Sequence, residues 1–181
     1  MKKISIILLV LISFFFQSCG DLREIQINDI SVTPVDKEEI VVGDEIELKF
    51  KYLSVDKTVS QIGIQIDVKR KDETETYPWK YLGYNPFVDF EDYRKRNSEY
   101  IVEKYTYDYP SECSIYFHFK GSKALSGDET LSLRVNEPGE YCVHIYIYDK
   151  TPVATSLVWN CDSEITFKVN PATEESTPAE E

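Results

Sequence analysis

The chain has 181 residues, with 20 basic and 32 acidic side chains and a formal net charge of −12. So acidic a balance argues against a nucleic-acid binder, because phosphate backbones demand a basic face, and against lying flat on an anionic membrane. A single methionine beside thirteen tyrosines and nine phenylalanines suits pleated, half-buried surfaces rather than helix bundles.

Residues 1–18 read as an export signal. Lys2 and Lys3 give a positive n-region, and residues 4–16 are apolar apart from Ser5 and Ser13. Such a run spans only about 20 Å as helix, short of the roughly 30 Å hydrocarbon core. A cleaved signal is therefore expected rather than a transmembrane anchor. Phe16-Gln17-Ser18-Cys19 resembles the lipobox of bacterial lipoproteins, where a small residue precedes a diacylated cysteine. The resemblance implies that Cys19 becomes the lipidated first residue, that residues 19–24 form a lipidated terminus and spacer, and that the protein is anchored to a membrane in the cell envelope. Gly20 is not the inner-membrane retention signal of such proteins, which favours the outer membrane. One acyl chain, at roughly 0.8 kcal/mol per buried methylene, holds only marginally, whereas two or three hold durably. Removal of residues 1–18 takes two lysines and no acids, leaving 18 basic against 32 acidic residues, a net of −14.

Residues 25–170 read as one all-β domain. A first strand is expected near 25–35, followed by a turn at Gly43-Asp44. Ile46, Leu48, Phe50 and Tyr52 then alternate with Glu45, Glu47, Lys49 and Lys51; Ile62, Ile64, Ile66 and Val68 alternate with Gly63, Gln65, Asp67 and Lys69. Period two with one wet face indicates an antiparallel sheet. Residues 101–109 and 113–119 are expected to be strands flanking a turn at Pro110-Ser111. Leu131, Leu133 and Val135, then Tyr141, Val143, Ile145 and Ile147, then Ile165, Phe167 and Val169 complete the series. Glu137-Pro138-Gly139-Glu140-Tyr141-Cys142-Val143 resembles the opening of the penultimate strand of immunoglobulin-like domains, where a Gly-x-Tyr turn places a corner tyrosine, here Tyr141. The resemblance implies an antiparallel immunoglobulin-like β-sandwich of about seven to nine strands, and no particular function.

Residues 71–100 interrupt that pattern as an aromatic-rich insertion. A polar loop, Lys71-Asp72-Glu73-Thr74-Glu75, leads into Tyr77, Trp79, Tyr81, Tyr84, Phe87, Phe90 and Tyr93. A short helix is predicted from Phe90 to about Asn97, with Asp89 as its cap, Asp92 completing a capping-box-like pair and Arg94-Lys95-Arg96 in the last turn. Two readings stand. Tyr77, Trp79, Tyr81, Tyr84 and Phe87 form a contact surface for a ligand or partner, or the rings cover an open end of the sandwich as a second core. Asp89, Glu91 and Asp92 lack the spaced oxygen ladder of a calcium loop.

Three further cysteines, Cys113, Cys142 and Cys161, would meet an oxidising compartment after export. A hairpin turning symmetrically at Thr151-Pro152 would place Cys142 opposite Cys161 as a disulfide. Cys113 with Cys161 is the alternative, since both share parity with the apolar residues of their strands. No CxxC pair exists, and His118 and His144 stand singly inside strands, so neither a metal nor another cofactor is expected. Ser54-Val55-Asp56-Lys57 matches Ser-x-x-Lys without the partner motifs of the β-lactam enzymes. The tail, 171–181, has no large apolar residue and reads as disordered and acidic. The expected function is that of a non-catalytic envelope lipoprotein, a binding or assembly module for a protein partner or glycan. The alternatives are an accessory subunit of an outer-membrane complex with no ligand of its own, and a hydrolase using paired carboxylates.

Overall fold

The computed structural model describes residues 25–35, 38–72, 74, 78–105, 113–150 and 160–172; Cys19, Tyr77 and nearly all of the acidic tail lie outside them. Within the described residues the chain forms β1 (Ile25–Pro34), β2 (Ile46–Ser54), β3 (Gln61–Lys71), β4 (Trp79–Tyr81), β5 (Ser114–Lys120), β6 (Ser126–Leu133), β7 (Gly139–Asp149) and β8 (Asn160–Val169). Two short helices, α1 (Phe90–Arg96) and α2 (Ser122–Leu125), join them.

The strands make two antiparallel sheets. One has the order β1-β2-β6. The other has the order β4-β3-β7-β8, with β5 also paired to β3. Gln61 to Asp67 of β3 face β5, and Lys69 to Lys71 face β4. Strands one, two and six thus oppose strands three, seven and eight, the partition of an immunoglobulin-like sandwich. The alternation explains the register. Ile46, Leu48 and Phe50 are fully buried, as are Ile62, Ile64, Ile66 and Val68, and a one-residue slip would turn each set to the opposite face of its sheet. Gly43, at φ +86°, closes the first turn, where Asp44 N–H donates to Val41 O at 3.0 Å.

Two expectations are corrected. Residues 101–105 are not strand: only Ile101 bridges, to Phe119, and Glu103–Tyr105 is a 3-10 turn. Val102 N–H donates to His118 O and Lys120 N–H to Tyr100 O, an isolated bridge to β5 rather than a ladder.

The cysteine pairing also fails. In the β7–β8 register Cys142 opposes Thr166 and Cys161 opposes Ile147, so the hairpin is offset from the symmetric turn and the two thiols lie on opposite faces of the sheet. Cys113 leads into β5, three strand spacings from β8, or about 14 Å, beyond the roughly 7 Å Cα limit of a disulfide. None of the three is joined in a disulfide among the described residues. Burial, then the Glu164 carboxylate, pushes the Cys142 thiol up to about 11.

Candidate binding cleft

The insertion divides at Pro86. After it, the chain turns into the sandwich. Phe87 bridges to Leu133, Val88 N–H donates to Ser132 O, and Arg134 N–H donates to Pro86 O, so residues 86–89 cover the open edge of β6. One turn of α1 then places Phe90 and Tyr93 on one face. Both are buried, with Tyr93 centred 5.4 Å from Phe117 and Phe90 6.1 Å from the same ring. Tyr93 donates its hydroxyl to Glu129 at 2.7 Å, and Lys123 Nζ lies 2.5 Å from the other oxygen of that carboxylate. Glu129 is 2% exposed, and a buried carboxylate is tolerated only when paired and hydrogen-bonded. Burial, then the Glu129 charge, holds the Tyr93 hydroxyl well above the ordinary tyrosine range.

Before Pro86 the rings are less enclosed. Trp79 is half-buried, Tyr84 is half-buried, and Tyr81 is 57% exposed, the most open large apolar side chain among the described residues. Lys69 Nζ lies 4.9 Å from the Tyr81 ring centroid. A cleft of about 570 Å³ opens beside this arm. Its walls are the end of β3 (Arg70, Lys71), the arm (Lys80, Tyr81, Tyr84) and the β6–β7 corner (Glu137, Tyr141).

Charges in and around the cleft come in opposite-sign couples. Arg70 is bonded to Glu137, and its second nitrogen donates to Pro138 O at 2.9 Å. Lys80 Nζ lies 2.6 Å from Asp72, and Lys71 Nζ lies 2.7 Å from Glu140. The hydrogen bonds of Lys80 and Thr74 hold the Asp72 carboxyl well below the usual carboxylate range. Gly139, at φ +152°, lets the Arg70 guanidinium lie against the backbone, since a Cβ there would meet Arg70 Nε at 3.0 Å.

The corner tyrosine fixes this end of the molecule. Tyr141 is fully buried and donates its hydroxyl to Glu137 O, four residues upstream, at 2.7 Å, the bond expected of a tyrosine corner. Asn136 N–H donates to the Tyr84 hydroxyl at 2.9 Å, tying the arm to the same loop. Burial pushes the Tyr141 hydroxyl far above the ordinary range.

The cleft and the N-terminal end of the domain are at opposite poles. Ile25 pairs with Ser54, and Leu53 with Ser126. At the other pole Pro34 pairs with Ile46, and Ile46 with Leu133, from which the cleft-lining corner follows. The ten residues of β1 separate the poles by about 33 Å at 3.3 Å per residue.

Of the residues read from sequence as contacts, Tyr81 and Tyr84 line the cleft. Trp79 is on the arm beside it and does not line it. Phe87 belongs to the core instead, because residues 86–89 pair with β6. Asp89 stands at the N-terminal end of α1 without a side-chain cap bond; its carboxylate accepts from Ser132 N–H at 2.9 Å and from Arg96 at 3.2 Å, clasping the insertion to β6. Glu91 and Asp92 pair with Arg94 and Lys95. Ser54 donates to Asp56 O at 3.0 Å and is buried, a turn contact at a strand end.

Sequence reasoning missed the crowding on the outer face of the larger sheet. His118 bonds to the Tyr116 hydroxyl at 2.6 Å, and Tyr148 donates to Gln65 at 2.6 Å. Tyr116, Tyr148 and His118 all close over Gly63, where a Cβ would meet them at 2.9–3.2 Å. The signal was a glycine inside an alternating strand, a mark of close approach. Burial, then Lys150, lowers the His118 pKa to about 4. His144 accompanies Asp162 at 3.1 Å.

No family model matches the chain, and no curated protein matches it. Among solved structures 13 chains match. One is the ASH/PapD-like domain of human CEP192 (PapD-like domain 7), at 9% identity over 83% of this chain and 88% of that one, with a TM-score of 0.48. A likeness that distant assigns no role.

Proposed function

We propose that this chain is a lipid-anchored bacterial envelope protein, most simply of the outer membrane, that binds a partner or glycan without catalysis in the cleft beside Tyr81. The anchor is Cys19, on the resemblance of residues 16–19 to a lipobox. The observation that carries the reading is polarity: the described domain begins at one pole, and the cleft opens about 33 Å away at the other. A tether of six residues ahead of Ile25 would present the cleft away from the bilayer. Concave sites with a few convergent polar groups and an exposed ring are the usual form of a binding site. The accessory-subunit reading draws support only from the half of the insertion that is buried.

The test is ligand capture by the full chain and by Tyr81→Ala, from envelope extracts and from a glycan panel. Loss of the captured species in Tyr81→Ala supports the cleft; undiminished capture contradicts it. Intact-mass measurement should find acyl mass on Cys19, and an unmodified cysteine would contradict the anchor.

A further inference from the structure

We infer that the cleft is shaped for a neutral glycan, an inference that rests on the cleft being the binding site. Three cations mark its walls, yet Arg70 is held by Glu137, Lys80 by Asp72 and Lys71 by Glu140. An acidic ligand would have to displace a carboxylate from its cation, inside a chain already strongly negative. A neutral polyol has no such need. Each hydroxyl both donates and accepts, so vicinal hydroxyls can lie across an ion pair, donating to the carboxylate and accepting from the ammonium or guanidinium. Two such couples, Arg70–Glu137 and Lys80–Asp72, stand within the cleft.

The exposed ring supplies the other half of sugar recognition. Tyr81 offers an apolar face on which sugar C–H groups can stack, with Lys69 on the ring. The volume, about 570 Å³, falls within the range of small-ligand sites. A folded protein partner would bury roughly 1,200 Å² or more, which one concave cleft with one open ring does not provide.

The experiment is titration of the full chain with neutral oligosaccharides and with matched saccharides bearing uronate or phosphate. The expected result is binding of a neutral saccharide whose affinity barely changes between about 0.01 and 1 M salt, where the screening length falls from roughly 30 to 3 Å. Tyr81→Ala and Lys80→Met should each weaken it roughly tenfold with the circular dichroism spectrum retained. Preference for the acidic saccharides, with strong salt dependence, overturns the neutral class; if Tyr81→Ala still abolishes that binding, the cleft survives as the site. Neutral binding indifferent to both substitutions overturns the cleft itself. Absence of binding to any saccharide overturns the inference, while a protein partner lost in Tyr81→Ala would leave the cleft reading standing.

Discussion

Between Trp79 and Tyr84 the aromatic side chains line or flank a cleft, whereas Phe87, Phe90 and Tyr93, only a few residues on, are walled into the core. Both halves of the insertion are equally rich in rings, so ring density does not mark a site. What separates them is the partner each period finds. The first half adds a three-residue strand to the last three residues of β3, at the sandwich end. The second half pairs with β6 and then turns helical, so that Phe90 packs tilted against Phe117 and Tyr93 against Phe117 and Phe119.

The comparison is broken most directly by truncating the buried half. Tyr93→Ala should cost about 3–5 kcal/mol, read as a lowered urea midpoint at unchanged slope. Tyr93→Phe keeps the ring and should cost about 1–3 kcal/mol, because Glu129 loses a donor while remaining buried. If both cost nothing, α1 is an appendage and the division at Pro86 is wrong.

A second, smaller effect concerns β5, the strand that receives the buried half and carries His118 on its other face. The folded pKa of His118 lies at about 4, below the unfolded value near 6.5. Between those values the unfolded chain binds a proton that the folded chain refuses, so this group's contribution to stability is full above pH 6.5 and is lost as pH falls towards 4. An NMR titration should place the His118 midpoint near 4; a midpoint near 6.5 would show the ring group over Gly63 to be open to water. Tyr141→Phe should cost about 1 kcal/mol through the corner hydrogen bond alone, checked by the same urea curves.

Much of the sandwich was legible because burial on one face imposes period two. The runs from Ile46 and from Ile62 predicted both their strands and the faces they bury, and Gly139-x-Tyr141 predicted the corner. The helix from Phe90 was legible too, although Asp89 bonds to Ser132 and Arg96 rather than capping it, a tertiary choice that local spacing does not encode. The cysteine pairing was misread because hairpin register depends on turn geometry, which the symmetric turn assumed. The cleft was half legible: Tyr81 and Tyr84 stood out as rings, but Arg70, Asp72, Lys80 and Glu137 are brought together only by the packing of the β3 end against the corner.

The smallest expected effect is also the most telling. Urea unfolding of Tyr81→Ala should match the parent chain within about 0.5 kcal/mol, as for an exposed side chain whose ring meets only the surface cation of Lys69. A loss approaching that of Tyr93→Ala would show Tyr81 to be a packing residue, and the arm would cease to be a binding surface.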